Sequence, residues 1–133
     1  MCQIIDYEYE VVDVISIRDG KILLVKKRDF WILPGGKREK REFAHNCIVR
    51  ELSEELPGCR LASRLVYFCH FQGRCPHGKK IRVRCYLGNI EGDISPGAEI
   101  SDARWIPKGE IFSYPLSEIT LQIVKKIFEE KII

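Results

Sequence analysis

Gly36, Glu42, Arg50, Glu51, Leu52, Glu54 and Glu55 stand at fixed offsets, as Gly36-x5-Glu42-x7-Arg50-Glu51-Leu52-x-Glu54-Glu55. No other run in the chain constrains it as tightly. A glycine-rich loop ends at Gly36, and a helix follows. At 3.6 residues per turn, Glu51 and Glu55 lie about 40° apart and Glu54 about 60° from Glu51 on the other side. Three carboxylates therefore share one turn, and like charges so close repel. A hard divalent cation neutralises them, since Mg²⁺ and Mn²⁺ prefer carboxylate and carbonyl oxygens. A bound Mg²⁺ in turn suggests a phosphate-bearing substrate. A bare Glu-x-x-Glu-Glu is more often a solvated helix face; the full spacing shifts that balance.

Around this motif, strand and helix signals interleave. Residues 7–17 alternate loosely and are rich in valine and isoleucine, Asp19-Gly20 is a hairpin turn, and 21–26 is the returning strand. A short apolar strand over 30–33 stops at Pro34-Gly35-Gly36. The helix spans about 43–56, with Ala44, Ile48, Leu52 and Leu56 as an apolar stripe and Pro57-Gly58 as its stop. Two long strands are expected over 61–72 and 80–90, a short strand over 103–106 and a helical turn over 107–112. A terminal helix over 116–132 buries Ile119, Ile123, Val124 and Ile127. With no repeat or linker, residues 1–133 form one α/β domain.

The spacing resembles the signature of the Nudix hydrolases, G-x5-E-x7-R-E-U-x-E-E-x-G-U with U aliphatic. The lead-in Trp31-Ile32-Leu33-Pro34-Gly35-Gly36-Lys37, followed by Glu39, is similar to that family's approach to its helix. Two positions depart from the pattern. Pro57 takes the place of the closing glycine, with Gly58 one residue late, and Arg41 replaces the small residue before Glu42. The resemblance implies a mixed β-sheet sandwiched between α-helices (α/β/α). It also implies Mg²⁺, with Mn²⁺ as the alternative, held by Glu51, Glu54, Glu55 and the main-chain carbonyl of Gly35. Many relatives use one more acid outside the motif; Glu99, six positions before Trp105, is the first candidate, then Asp102, with Glu91 and Asp93 behind.

The chemistry is attack of water on a phosphorus atom of a diphosphate linkage, in which metal neutralises phosphate charge and lowers the pKa of water. Glu51 or Glu54 is the expected base. Arg50 is expected to orient the glutamates through charge-assisted hydrogen bonds, and Glu42 to act structurally at the helix entry. Arg28 and Lys37 are weaker candidates for phosphate contact. Phe30, Trp31, Tyr67, Phe68, Phe71 and Tyr86 could stack a base, although each is more readily a core residue. Arg82 and Arg84 read as a solvated strand face.

Composition bounds the partners. A net charge of +3 is too mild to suggest nucleic acid or an anionic membrane, and no stretch approaches the roughly 18 apolar residues of a membrane span. The first residues lack a basic, then apolar, leader, so a cytoplasmic location is expected. The cysteines at 2, 47, 59, 69, 75 and 85 then read as reduced thiols, Cys47 and Cys85 as small core residues. Cys69-His70 and Cys75-Pro76-His77 match no paired zinc-ligand spacing. The substrate is a small nucleotide; a homodimer is left open, dimers being common among relatives.

Subclass markers fail. The proline that tends to mark ADP-ribose hydrolases falls near Gln72 or Gly73, and the tyrosine that tends to mark diadenosine polyphosphate hydrolases near Arg74 and Cys75. Nothing resembles the extended motifs of the NADH or coenzyme A groups. The small, undecorated chain fits best with MutT-like nucleoside triphosphate pyrophosphohydrolases, which release monophosphate and pyrophosphate from ordinary or oxidised nucleotides. The alternatives are hydrolysis of other nucleoside diphosphate derivatives (ADP-ribose, Ap4A), RNA 5′-end pyrophosphohydrolysis, and a noncatalytic nucleotide sensor. All three glutamates being present favours catalysis.

Overall fold

The computed structural model describes residues 7–75 and 77–133, so Cys2 and Pro76 lie outside the described residues. Strand β1 (Tyr9–Ile15) is followed by β2 (Ile17–Arg18), β3 (Lys21–Lys27), β4 (Phe30–Ile32) and β5 (Gly35–Lys37). Helix α1 (Ala44–Glu55) comes next, then β6 (Cys59–Leu61), β7 (Val66–Arg74), β8 (Lys80–Leu87), β9 (Ile90–Gly92) and β10 (Ile100–Pro107). A 3-10 turn (Lys108–Ser113) leads into helix α2 (Glu118–Glu129).

Strand β3 shows why the chain folds in layers. Ile22, Leu23, Leu24 and Val25 are all fully buried, so both faces of this strand are covered. Successive side chains of a strand point to opposite faces. Ile22 and Leu24 enter one core with Ile15, Leu33, Val83 and the α2 stripe Ile119, Ile123, Val124 and Ile127. Leu23 and Val25 enter a second core with Val12, Val14 and the α1 residues Cys47, Ile48, Leu52 and Leu56. Each helix covers one side of the strands, which is the α/β/α arrangement expected. One sheet has the order β5-β1-β8-β7 and is mixed, since β1 runs parallel to β8 and antiparallel to β5. In the other, β10 and β2 flank β3, and β4 also pairs β3.

The two long strands expected over 61–72 and 80–90 are each split. Residues 59–61 and 90–92 leave to form the separate β6-β9 pair. At the break the Asn89 amide donates to Ser63 Oγ at 2.8 Å, and the Ala62 amide to the Asn89 carbonyl at 2.7 Å. Gly88 is packed there too, since a Cβ on it would lie 2.8 Å from Leu65. Apolar alternation runs through such a crossing without marking it. The first strand likewise breaks at Ser16, whose Oγ accepts from the Ile90 amide at 3.0 Å. The last helix starts two residues later than expected. Trp31 donates its amide to the Pro115 carbonyl at 2.8 Å, which holds residues 115–116 extended, and Ser117 Oγ caps the helix by accepting from the Thr120 amide.

The Asp19-Gly20 turn has both residues at positive φ, 52° and 73°, as a primed hairpin turn requires. Cys69 is buried while His70 on the opposite face is exposed. The five described cysteines are free. Ile123 is wholly buried under α2, so Ile123→Ala should cost about 2–5 kcal/mol, read as a lower urea midpoint with an unchanged slope.

Candidate active site

The last two turns of α1 face the β4–β5 connection because Cys47, Ile48 and Leu52 on its other face are buried against β1 and β3. The two elements touch with no room to spare. A Cβ on Gly36 would come within 2.3 Å of Glu51 Cδ and 2.5 Å of both its oxygens, so the Glu51 carboxylate lies on the glycine. The Gly35 amide donates to Glu55 Oε1 at 3.0 Å. Gly35 itself has φ +145°, and a Cβ there would meet the Val12 carbonyl at 2.2 Å and Asp13 Oδ1 at 2.5 Å. Only glycine fits on both counts.

Arg50 holds the arrangement together. Its Nε and Nη2 donate to the Glu42 carboxylate, each at 2.9 Å, and Nη1 donates to Glu51 Oε1 at 2.9 Å. Nη2 also donates to the Lys37 carbonyl at 2.8 Å. Glu54 lies 3.7 Å from Nη1 and is half exposed. The fork of guanidinium donors suits this task better than an ammonium would. Glu42 sits before the helix rather than in its first turn, and its Oε1 accepts from the Glu39 amide at 3.0 Å. Its hydrogen bond with Arg50 holds its carboxyl down at about 2. Arg41 just before it takes φ +66°, which accounts for a small residue being usual there.

The remaining acids outnumber the cations beside them, Arg50 and Lys27. Burial, above all, pushes the Glu55 carboxyl up to about 8, against the pull of the Gly35 amide and with Glu51 adding to the rise. Burial also raises Glu51, although Arg50 opposes it. Asp13, on β1, is raised well above the ordinary carboxylate range by burial, then by Glu55 and Glu51. A hard divalent cation suits such a set of oxygens. As they stand, no three acidic, histidine or cysteine side chains among the described residues converge as a ready cation site. Glu51 is turned onto Arg50 and Glu55 onto Gly35, so a cation would have to draw them from those partners.

Gly35 and Gly36 also form one wall of a cleft of about 550 Å³ between β1, β8, β4 and the start of α2. Val11, Phe30, Ile32, Ile81, Val83 and Ile119 give it apolar sides, and Lys27, Arg28, Lys37, Arg74 and Lys79 give it cations. Arg28, at φ +57°, contacts the His77 ring, and Lys37 Nζ lies 5.2 Å from the Tyr9 ring centre. Of the aromatic residues singled out, Phe30 lines this cleft. Trp31 is in the core, Phe68 and Phe71 pack against the same core, and Tyr86 packs against the other. Tyr67 lies on the far sheet face, beside His70. Arg84 bonds Glu10 at 3.3 Å on that far face.

Glu99 is exposed and pairs with Lys27 at 3.4 Å, which places it at the cleft's edge with a lysine between it and the glutamates. The other acids weighed are engaged elsewhere: Asp102 with Arg104 at 3.0 Å, Glu91 with Arg60 at 2.9 Å and Asp93 with Ser95 at 2.8 Å. Sequence reasoning missed Asp13 and Tyr9. The only local signal for Asp13 was an acid in a valine-rich strand whose neighbours are buried.

The model of the NUDIX domain matches residues 9–127. The chain belongs to the NUDIX domain family. It is 30% identical over 99 residues to an ADP-ribose pyrophosphatase of Methanocaldococcus jannaschii, a match covering 71% of this chain and 59% of that protein. The chain thus spans about three-fifths of that relative's length. Among solved structures, the E. coli ORF135 protein superposes with a TM-score of 0.78 at 27% identity, covering 92% of this chain and 90% of that one. A MutT NUDIX hydrolase from Burkholderia pseudomallei gives 0.79 at 23% identity, covering 90% and 97% respectively, a likeness of fold. Nudix hydrolases generally work with a divalent metal. No helix among the described residues is long and apolar enough to cross a membrane.

The raised Glu55 carboxyl has a testable consequence. Its stabilising effect is fully present below the unfolded value near 4.5 and is lost as pH rises through about 8. Without divalent metal, thermal stability should therefore fall across that window. Glu55→Gln should flatten the fall, and Mg²⁺ or Mn²⁺ should raise the wild-type midpoint most at the alkaline end. Differential scanning fluorimetry against pH, with and without metal, reads all three. In the same assay Gly36→Ala should lower the midpoint and blunt the metal response, because the new methyl displaces Glu51.

Proposed function

We propose that this Nudix hydrolase cleaves a diphosphate linkage in a small nucleoside diphosphate derivative. The observation that supports this reading is Glu51 lying against Gly36 and Glu55 bonded to the Gly35 amide, at the wall of an apolar cleft provided with cations. ADP-ribose is the leading substrate because the curated relative acts on it. Nucleoside triphosphates are the second class, supported by the small, undecorated chain.

In this reading Glu51, Glu54, Glu55 and the Gly35 carbonyl hold Mg²⁺ or Mn²⁺, with Glu99 completing the set once Lys27 releases it. The metal, when bound, supplies charge neutralisation at the phosphates and a lowered pKa for water. Arg50 keeps Glu51 in place and anchors the loop through the Lys37 carbonyl. Glu54, half exposed and only loosely paired, is the carboxylate freest to take a proton from water. Lys37 and Arg28 attract the phosphates, and Phe30 with the aliphatic walls takes the base.

Glu54→Gln and Glu55→Gln should each lower kcat by about a hundredfold or more. The assay is product chromatography with Mg²⁺, then Mn²⁺, over ADP-ribose, Ap4A, the nucleoside triphosphates, 8-oxo-dGTP and triphosphorylated RNA. AMP with ribose phosphate identifies the first class, and monophosphate with pyrophosphate the second. Wild-type turnover in both glutamine variants would sink the metal-site assignment. No turnover of any substrate would leave a nucleotide sensor.

A further inference from the structure

Cys75 differs from the other four described thiols. Cys47, Cys69 and Cys85 are buried in the cores. Cys59 donates to the Asp93 carbonyl at 3.2 Å, and burial pushes its thiol up. Cys75, just after β7, is half-buried and lines the cleft. Its backbone is fixed: the Cys75 amide donates to the Lys79 carbonyl at 2.9 Å, and the Gly78 amide donates to the Cys75 carbonyl at 2.8 Å.

The sulfur is surrounded by donors. It lies 3.5 Å from His77 Nδ1. His77 Nε2 meets a guanidinium nitrogen of Arg28, which can only donate, so Nε2 accepts and Nδ1 carries the proton. The imidazole therefore donates to the sulfur rather than taking its proton. Tyr9, another residue of the cleft wall, brings its hydroxyl to the same sulfur. Burial opposes ionisation, yet the Tyr9 hydroxyl and the amides of His77 and Lys79 hold the thiol below its ordinary value. Such surroundings favour the thiolate, the form that attacks. Attack of water on phosphorus makes no use of a thiolate. Arg28, Arg74 and Lys79 line the cleft with it, and they favour an incoming anion.

We propose that Cys75 is a thiolation site: it forms a mixed disulfide with an anionic small-molecule disulfide, and the attached group closes the cleft to substrate. The Cys75 thiolate attacks one sulfur of the disulfide, and the original S–S bond breaks as the new one forms. Cys75 is oxidised, the departing half leaves as the reduced thiolate, and that thiolate takes up the proton which Cys75 released to water. No further reactant is needed, and excess small thiol reverses the exchange. Because Cys75 shares the cleft with Phe30, Ile32 and Gly35, the attached group fills volume that a nucleotide needs.

Only the loss of nucleotide binding rests on the reading above, and the test separates the two. The protein is incubated with oxidised glutathione, or with cystamine as the cationic comparator, and mapped by peptide mass spectrometry. Cys75 should take up one glutathione at least about tenfold faster than any other cysteine reacts, and His77→Ala should slow uptake about threefold or more. Oxidised glutathione should outpace cystamine once each rate is divided by that with free cysteine. The adduct should bind ADP-ribose at least about tenfold more weakly by calorimetry, and acetylation of its Lys37 and Lys79 should slow. Dithiothreitol should reverse both effects. Cys75→Ser should keep wild-type affinity and turnover in oxidised glutathione. Cys75→Ala is the second variant should serine perturb the turn, with circular dichroism as the check on folding. Reaction first at another cysteine, or faster with cystamine, overturns the proposal, as does an adduct that leaves nucleotide affinity and lysine acetylation unchanged. Weakened binding in both folded variants without any disulfide would overturn it too, making Cys75 part of the substrate site. If the unmodified protein binds no nucleotide, the nucleotide reading fails, while selective modification of Cys75 that shields both lysines upholds the thiolation site.

Discussion

The Arg50 guanidinium is the interaction on which the site depends. It joins the segment before α1 (Glu42), the helix itself (Glu51) and the β5 backbone (Lys37 carbonyl) through hydrogen bonds of 2.8–2.9 Å. No other side chain in the site spans those three elements. Without it, Glu42 and Glu51 would face each other partly buried and unneutralised, a more costly state than leaving either in water. Its donors also leave Glu55 to the Gly35 amide and Glu54 to solvent. Three chemically identical side chains thus acquire three environments: one clamped, one buried and one exposed.

That division requires a frame that does not shift. The frame is the doubly covered β3, whose four central residues are fully buried between two cores. Interiors packed to this degree transmit small displacements instead of absorbing them. Glycines at 35 and 36 bring the β5 backbone against Asp13 on one side and Glu51 on the other. The cleft opens where this edge meets β1, β8 and α2, so its wall shares glycines with the carboxylate site. The carboxylates and the cleft are therefore neighbours in space, although the residues that line the cleft are spread from Tyr9 to Thr120.

How legible a feature was in the sequence tracked how local its physics is. Spacing on one helix is a local property, so the glutamates, Arg50 and the α1 stripe could be placed before any fold was known. The Asp19-Gly20 turn and the α2 stripe were legible for the same reason. The ends of β7 and β8 were not. They depend on Ser63 meeting Asn89 and on Gly88 packing under Leu65, contacts between residues far apart in the chain. Of the candidate aromatic residues, only Phe30 reached the cleft, because whether a ring faces a core or a cleft is set by what packs over it.

The sequence alone determined the order and spacing of the three glutamates and Arg50, because a helix converts fixed spacing into fixed direction. It also determined the family fold, since alternating strands with two apolar helical stripes can bury both stripes only against opposite sides of a sheet. Tertiary structure decided the rest. It turned Glu55 inward and Glu54 outward, paired Glu99 with Lys27, and placed Asp13 unpartnered in the cleft. Burial and electrostatic environment are sums over residues distant in sequence, and no local pattern contains them.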